Sequence, residues 1–417
     1  MITSSNLSNE ESTQSQREEV FKKSTQNNKI TLYLSNRDVI ISENVADKIQ
    51  GVVHVDPDYL QNKKVYGQIT LTFRYGREDE EVMGLKFCNE AIMCLAQLYP
   101  PHEKVTQQPL TPLQDVLLKR LGPNAFPFTM ELTPLAPPSV QLVPAKEYNG
   151  AAIGTSYDIR AFAANKADDK QHKKNTVRMG IRVIQRASMP PKSYNTLSLQ
   201  PLSEKNPPHV ILNKPFLLSD GKMKLEAALD KAVYSHGDGI YVSVTVINKT
   251  KKNVRRLKLL VIQHVDVCMF SNGKFKNIVA LIDDKDEFPL LPGGSLSKTY
   301  TLSPTKGVPK NWIALEDSYV KTSPTLASTV MCNSSEERNV FAIYVSYYVK
   351  VQLIVGTIRN KISVKLPFTL MPSQIDADLI EHYSQHHSPI QTLTTEDMQI
   401  EGNSSQATIE KENNLQS

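Results

Sequence analysis

The chain is poor in the features that mark enzymes, membrane proteins and disulfide scaffolds. Its 417 residues hold four cysteines, Cys88, Cys94, Cys268 and Cys332, with no CxxC pair. Neither a disulfide framework nor a zinc site is therefore expected, and the thiols read as reduced and partly buried. No apolar run approaches the roughly 20 residues needed to span a bilayer. The N-terminus, "MITSSNLSNEESTQSQREEV", is polar and lacks the apolar core of a signal peptide. Both absences point to a cytoplasmic location. GxGxxG, GxxxxGKS/T, HExxH and GxSxG are all missing, which moves the expectation from catalysis towards binding. His382, His386 and His387 cluster in a polar tail that offers nothing to hold a metal. No catalytic residue, metal or cofactor is expected.

What is present is strand pattern. In "GQITLTFRY", Ile69, Leu71, Phe73 and Tyr75 alternate with Gln68, Thr70, Thr72 and Arg74. "GIYVSVTVI" places Ile240, Val242, Val244 and Val246 on one face, and "NVFAIYVSYYVKVQLIV" does the same for Phe341, Ile343, Val345, Tyr347, Val349, Val351 and Leu353. One polar and one apolar face imply antiparallel sheets stacked in sandwiches. The length exceeds one small core. Residues 187–215 are rich in Pro, Ser and Asn and lack sustained periodicity, so they read as a linker. Beyond Pro372 the chain is polar, low in aromatics and expected to be disordered when unbound. The expected layout is a disordered 1–18, a first sandwich at 19–186, a hinge at 187–213, a second sandwich at 214–371 and an acidic regulatory tail at 372–417. The fold class is all-β, two antiparallel immunoglobulin-like sandwiches with one short amphipathic helix in the first.

That helix is "TPLQDVLLKRLGP". Thr111 is placed as N-cap, Pro112 at the first helical position, Lys119 and Arg120 in the last turn, with Gly122 and Pro123 beyond. Leu113, Val116, Leu117 and Leu121 form one apolar stripe that must lie on a sheet or another segment.

Charge is unevenly spread. The whole chain carries +5, and residues 372–417 hold eight acids and one base, Lys411, so the body alone carries +12. A basic body with an acidic tail suggests association of the two, or an anionic partner. "VFKK" supplies Lys22 and Lys23, and "KKNTVRMGIRVI" supplies Lys173 and Lys174. In the second stretch Val177, Met179, Ile181 and Val183 share one face, leaving Arg178 and Arg182 on the other. These residues fit either a solvated basic strand face or a concave basic surface that recognises clustered phosphates. Nucleic acid is not expected, because a long basic helix and an RNP-like aromatic pattern are both missing.

"FRYGREDEEVMGL" combines a strand, a glycine, four acids and an apolar run. It resembles the arrestin signature, in which an aromatic-Arg-Tyr-Gly sequence precedes an acidic cluster and an apolar-Gly-apolar segment. "VFKKS", "GVVHVDPDYL", "QPLTPLQDVLLKRLG", "PFTMELTP", "KKNTVRMGIR", "LEAALDKAVYSHGD", "HVDVCMF" and "LPFTLM" also look like arrestin stretches, in the family's order, from Val20 to Met371. The resemblance implies two sandwiches joined by a hinge and no enzymatic activity. It implies an activated, phosphorylated G-protein-coupled receptor as partner, with G-protein coupling blocked and trafficking or signalling scaffolded. By resemblance, Gly76, Arg77, Glu78, Asp79, Glu80, Glu81, Val82, Met83, Gly84 and Leu85 form a finger loop that enters the receptor's cytoplasmic cavity. Lys22 and Lys23 contact phosphates, and Lys119, Arg120, Lys173 and Lys174 extend the basic surface. Arg178 is the phosphate sensor, in a buried polar core with Asp38, Glu316 and Asp317. Val20 and Phe21, with Leu113, Leu117 and Leu121, make the apolar contact that holds the tail at rest. The same resemblance implies recruitment to the plasma membrane through the receptor, with an inositol phosphate or phosphoinositide as a further candidate ligand.

The chain departs from the family at several points. Glu316, with Asp317 beside it, replaces one gate-loop aspartate, and Ser323 stands where the second is expected. No arginine follows Arg359 and no phenylalanine follows Phe368, so the usual tail arginine and adaptor motif are missing. "DLIEHY" around Leu379 is only a faint likeness of a clathrin box. Asn89 and Glu19 stand where many relatives carry a base. These changes imply a looser resting state, weaker dependence on phosphorylation and weak or absent clathrin-adaptor coupling. The alternative is an arrestin-fold sorting adaptor without strict dependence on receptor phosphates.

Overall fold

The structure, a computed structural model, describes residues 20–42, 45–60, 62–101, 109–169, 173–186, 207–216, 219–268, 273–307, 312–318, 325–330, 342–356 and 360–372. Glu19, Ser323, Cys332, Arg359, Leu379, the three tail histidines, the tail beyond Pro372 and residues 187–206 of the expected hinge lie outside these.

Period-two alternation folds here as two stacked-sheet units. In the first, strands Phe21–Ser24, Ile30–Leu34, Ile49–Val55 and Ala125–Met130 form a sheet in that order. The opposing sheet runs Val140–Val143, Ile153–Ala164, Thr176–Arg186, Asp38–Ser42 and Val45–Ala46, with Lys64–Arg74 also paired to Ile153–Ala164 and Cys88–Tyr99 beyond it. Ile30, Leu32, Val53, Ile69, Ile159 and Met179 pack between them as one core. In the second unit, His209–Phe216, Ser219–Leu229, Ile240–Asn248 and Ser295–Leu302 face a sheet ordered Val233–Ser235, Asn360–Met371, Ile343–Val355, Val254–Val267 and Lys274–Asp284. Its core includes the predicted apolar faces, from Ile240 to Val246 and from Ile343 to Leu353, while Phe341 lies outside the described residues.

Three features depart from the sequence reading. Among the described residues two strand pairs are parallel, Thr176–Arg186 with Asp38–Ser42 and Val233–Ser235 with Asn360–Met371. The second unit begins before residue 214: His209–Phe216, a strand that follows Pro207 and Pro208 and holds Pro215, which gives it a linker-like composition, already pairs with Ser219–Leu229. Ile313–Glu316, from the second half of the chain, pairs with Val140–Val143 and so extends a sheet of the first sandwich.

The helix spans Pro112–Leu121. Thr111 caps it in a reciprocal box with Gln114, and Gly122, at φ 80°, ends it. Its buried face differs from the expected stripe. Val116 is exposed, while Gln114 is buried at 3% exposure. Gln114 donates to the carbonyls of Phe128 (2.9 Å) and Gly51 (3.1 Å), which fastens the helix to the sheet by polar bonds as well as apolar contact. The close approach there needs a glycine, because a Cβ on Gly51 would lie 2.3 Å from the Tyr33 carbonyl oxygen. Replacing Gln114→Leu should leave two buried carbonyls without this donor and lower stability by about 1–3 kcal/mol in urea unfolding.

Candidate functional site

Arg182 is the most deeply withdrawn arginine of the basic strand, 4% exposed. The parallel ladder sets Arg182 directly opposite Asp38, so their side chains leave the sheet on the same side. The guanidinium Nε donates to Asp38 Oδ1 at 3.0 Å, and Nη2 donates to Asp38 Oδ2. Nη1 donates to the backbone carbonyl of Asp317 at 3.0 Å. A carboxylate from the first sandwich and a carbonyl from the segment that follows Ile313–Glu316 thus meet on one buried cation.

This corrects the expected sensor geometry. Arg178 precedes Arg182 by four residues, about 13 Å along a strand. It lies opposite Arg160, not Asp38, and its half-exposed side chain pairs with Asp158 at 2.6 Å. Asp158, 3% exposed, is shared with Arg160, which also reaches Glu90 at 2.9 Å. The sequence put Arg178 and Arg182 on one face and could not tell which would meet Asp38; the parallel register decides it. Asp158, Arg160 and Glu90 carried no sequence signal that set them apart.

Glu316 also differs from expectation. Its carboxylate accepts from the Ser328 N–H at 2.7 Å and lies 3.8 Å from His236 Nε2. Burial alone would raise its pKa, but the His236 and Ser328 bonds outweigh burial and hold it below the ordinary value. Burial pushes the Asp317 carboxyl above its ordinary value, although the Arg182 charge pulls it back in part. The polar core of the described residues is therefore Asp38, Arg182 and the Asp317 carbonyl, with Glu316 bound next to it.

The acidic loop is folded on itself. Glu78–Glu80 form one 3-10 turn. Glu81 pairs with Arg74 at 2.6 Å and accepts from the Phe87 N–H at 3.0 Å. The Arg74 bond is the largest of the influences that lower the pKa of Glu81. Arg77 binds Asp79 and lies 3.6 Å from Glu80, with its guanidinium over the Tyr148 ring. Glu78 accepts from the Ala151 N–H at 3.0 Å, and its own N–H donates to the Tyr148 hydroxyl at 3.0 Å. Gly76 packs against Phe87 where a side chain would clash. Val82, Met83 and Leu85 are left exposed, and Met83 and Gly84 take positive φ.

The remaining predicted residues divide. Lys22 and Lys23 are exposed on the edge strand Phe21–Ser24. Lys119 and Arg120 are exposed on the helix, where Lys119 pairs with Asp115 at 2.6 Å. Lys173 and Lys174 fall in a 3-10 turn at Lys173–Asn175. Val20 joins Leu113, Leu117 and Leu121 in a small cluster between helix and sheet. Phe21 instead packs against the main core of the first sandwich, with Arg37 over its ring. Among the described residues no group of three or more His, Cys, Asp or Glu is placed to hold a metal, and no helix is long and apolar enough to cross a membrane.

The described fold is thus a two-sandwich protein with a buried arginine held by Asp38 of the first sandwich and by the Asp317 carbonyl from the chain's second half. The N-terminal domain model of the family described as "Arrestin (or S-antigen)" matches residues 30–188, and its C-terminal domain model matches residues 219–375. An arrestin homolog of Heliothis virescens is 38% identical over 382 residues, 88% of this chain and 97% of that protein. Phosrestin-2 of Drosophila melanogaster is 38% identical over 84% of this chain and 93% of its own length. A lateral-eye arrestin of Limulus polyphemus is 38% identical over 84% of each. The chain belongs to the arrestin family.

Removing a partner from a buried ion pair strands the other charge. Arg182→Met should therefore cost about 3–5 kcal/mol in thermal or urea unfolding. Arg178→Met leaves Asp158 with Arg160 and should cost less than about 1 kcal/mol. For Asp317 the folded pKa lies above the unfolded value, so its ionised form subtracts from stability at neutral pH. That loss fades as pH falls through the raised folded value. Asp317→Asn should raise the melting midpoint modestly at neutral pH, with the gain shrinking on acidification.

Proposed function

We propose that this arrestin binds activated, phosphorylated G-protein-coupled receptors, blocks their coupling to G proteins, and scaffolds trafficking or signalling. Family membership supports this reading, and one observation carries it: Arg182, a buried cation held at once by the first sandwich and by a segment attached to the second. A phosphate brings about −1.5 to −2 charges and several acceptor oxygens. It competes for Arg182 with Asp38 and the Asp317 carbonyl. Losing the Asp317 carbonyl, the contact that crosses from the second half of the chain, loosens the hold between the two sandwiches, which makes the latch a two-state element biased by a ligand that prefers one state. In this reading Lys22, Lys23, Lys119, Arg120, Lys173, Lys174 and the exposed Arg178 gather phosphates first. The Gly76–Leu85 loop unfolds its internal ion pairs and enters the receptor. The protein works in the cytoplasm and reaches the plasma membrane through the receptor, with an inositol phosphate or phosphoinositide as a second anionic ligand.

The alternative, a sorting adaptor without strict phosphate dependence, draws support from Glu316, whose carboxylate is turned to Ser328 and His236, while among the described gate residues it is the Asp317 backbone carbonyl that meets Arg182. Binding to phosphorylated and unphosphorylated receptor separates the two. The receptor reading expects Arg182→Glu to raise binding to unphosphorylated receptor several-fold, and Lys22→Ala with Lys23→Ala to weaken binding to the phosphorylated form. If none of these substitutions changes binding, the adaptor reading stands.

A further inference from the structure

The inner face of the five-stranded sheet in the second sandwich carries a row of three polar side chains where alternation calls for apolar ones. Asn277, Gln263 and Tyr347 lie directly opposite one another on three adjacent strands. They are 4%, 0% and 2% exposed. Asn277 and Gln263 reach the segment that leads to the latch, and Tyr347 reaches Ala327, whose N–H donates to the Ala314 carbonyl of that segment. Asn277 Nδ2 donates to the Trp312 carbonyl at 2.8 Å. Gln263 Nε2 donates to the Ala314 carbonyl at 2.8 Å, and its Oε1 accepts from the Ala314 N–H at 3.1 Å. The amide thus pairs with Ala314 on both sides, as a neighbouring strand would. Tyr347 donates to the Ala327 carbonyl at 2.6 Å and accepts from Gln263 at 2.8 Å. Asn277 also donates to Gln263 at 3.3 Å.

Ile313–Glu316 is therefore held along both edges by different sandwiches. Its alternate amides point to opposite sides. Ala314 and Glu316 face the second sandwich's side, bound by Gln263 and the Thr325 carbonyl. Ile313 and Leu315 face Val143 and Gln141 of the first sandwich. When the halves separate locally, one edge must open.

We infer that Asn277, Gln263 and Tyr347 are positioning residues that keep this strand with the second sandwich, so that the molecule parts along the seam between Ile313–Glu316 and Val140–Val143. The physical reason is the difference between the edges. On the polar row, opening would strand side-chain amide and hydroxyl groups that are at most 4% exposed, inside an apolar core. On the seam, opening parts Val140 and Leu142 from the apolar cluster they share with Ile313 and Leu315, but it leaves no polar side chain unpaired, because the groups of the four-residue ladder pass to water. Because Asp317 follows this strand directly, its carbonyl leaves Arg182 together with the seam.

The inference concerns the latch of the preceding reading, but its test needs no receptor, so each can fail alone. Native-state hydrogen exchange on the full chain, resolved at single amides, reads the two edges separately. The Ala314 amide should be protected at least about tenfold more than those of Ile313 and Leu315, the factor that about one buried hydrogen bond supplies. Gln263→Met, which keeps volume and removes the amide, should bring Ala314 down to the level of its neighbours. Gln263→Glu, measured below the pH at which the buried acid ionises, keeps a donor and an acceptor and should restore the difference. Equal protection at Ala314, Ile313 and Leu315 in the unaltered protein would overturn the inference, whether or not the variants fold. An unchanged ratio in a folded Gln263→Met would do the same.

Discussion

A guanidinium withdrawn from water must find its acceptors inside the protein, and Arg182 draws them from both halves of this chain. Much else follows from that need. The parallel pairing places Asp38 beside it. Ile313–Glu316 has to cross to the first sandwich for the Asp317 carbonyl to arrive. That crossing in turn needs polar groups in the second sandwich's core to receive the strand's other edge, which Gln263 provides. A charge buried in this way is weak as a source of stability, because desolvation cancels much of the attraction. Its value is specificity: a particular arrangement of the sandwiches satisfies it, and an anion can replace the satisfaction.

The acidic loop follows similar logic at the surface. Four consecutive acids look like a solvated tip, yet all four are bound to basic groups or backbone N–H groups close by. Those bonds fold the loop back and leave its apolar residues outermost. The acids shape the loop, and Val82, Met83 and Leu85 are what it presents.

Much of this was readable from the sequence where local rules dominate. Alternation identified the apolar faces of Ile240–Asn248 and Ile343–Val355 because sheets with one buried face impose period two. Thr111, Pro112 and Gly122 marked the helix because orphan backbone groups select particular residue types at each end. The failures occur where tertiary partners override those rules. Val116 fits an apolar stripe, but Gln114 takes the buried place because two carbonyls of the sheet lie within its reach. Arg178 and Arg182 share a parity, and only a strand 144 residues away distinguishes them. Gln263 breaks the apolar pattern of its strand, which is visible locally, but what it binds is set by a segment 51 residues on.

Sequence separation has a further consequence, for the order in which the molecule is built. Asp38 and Arg182 are 144 residues apart, and Asp317 lies another 135 beyond Arg182. Contacts so distant along the chain close late, after the local hairpins have formed. During synthesis Asp38 and Arg182 meet once the first sandwich has emerged, but the third partner waits for the greater part of the second. The completed latch is therefore also a record that both halves have folded, and a truncated chain ending before residue 317 would carry the basic surface without the restraint upon it.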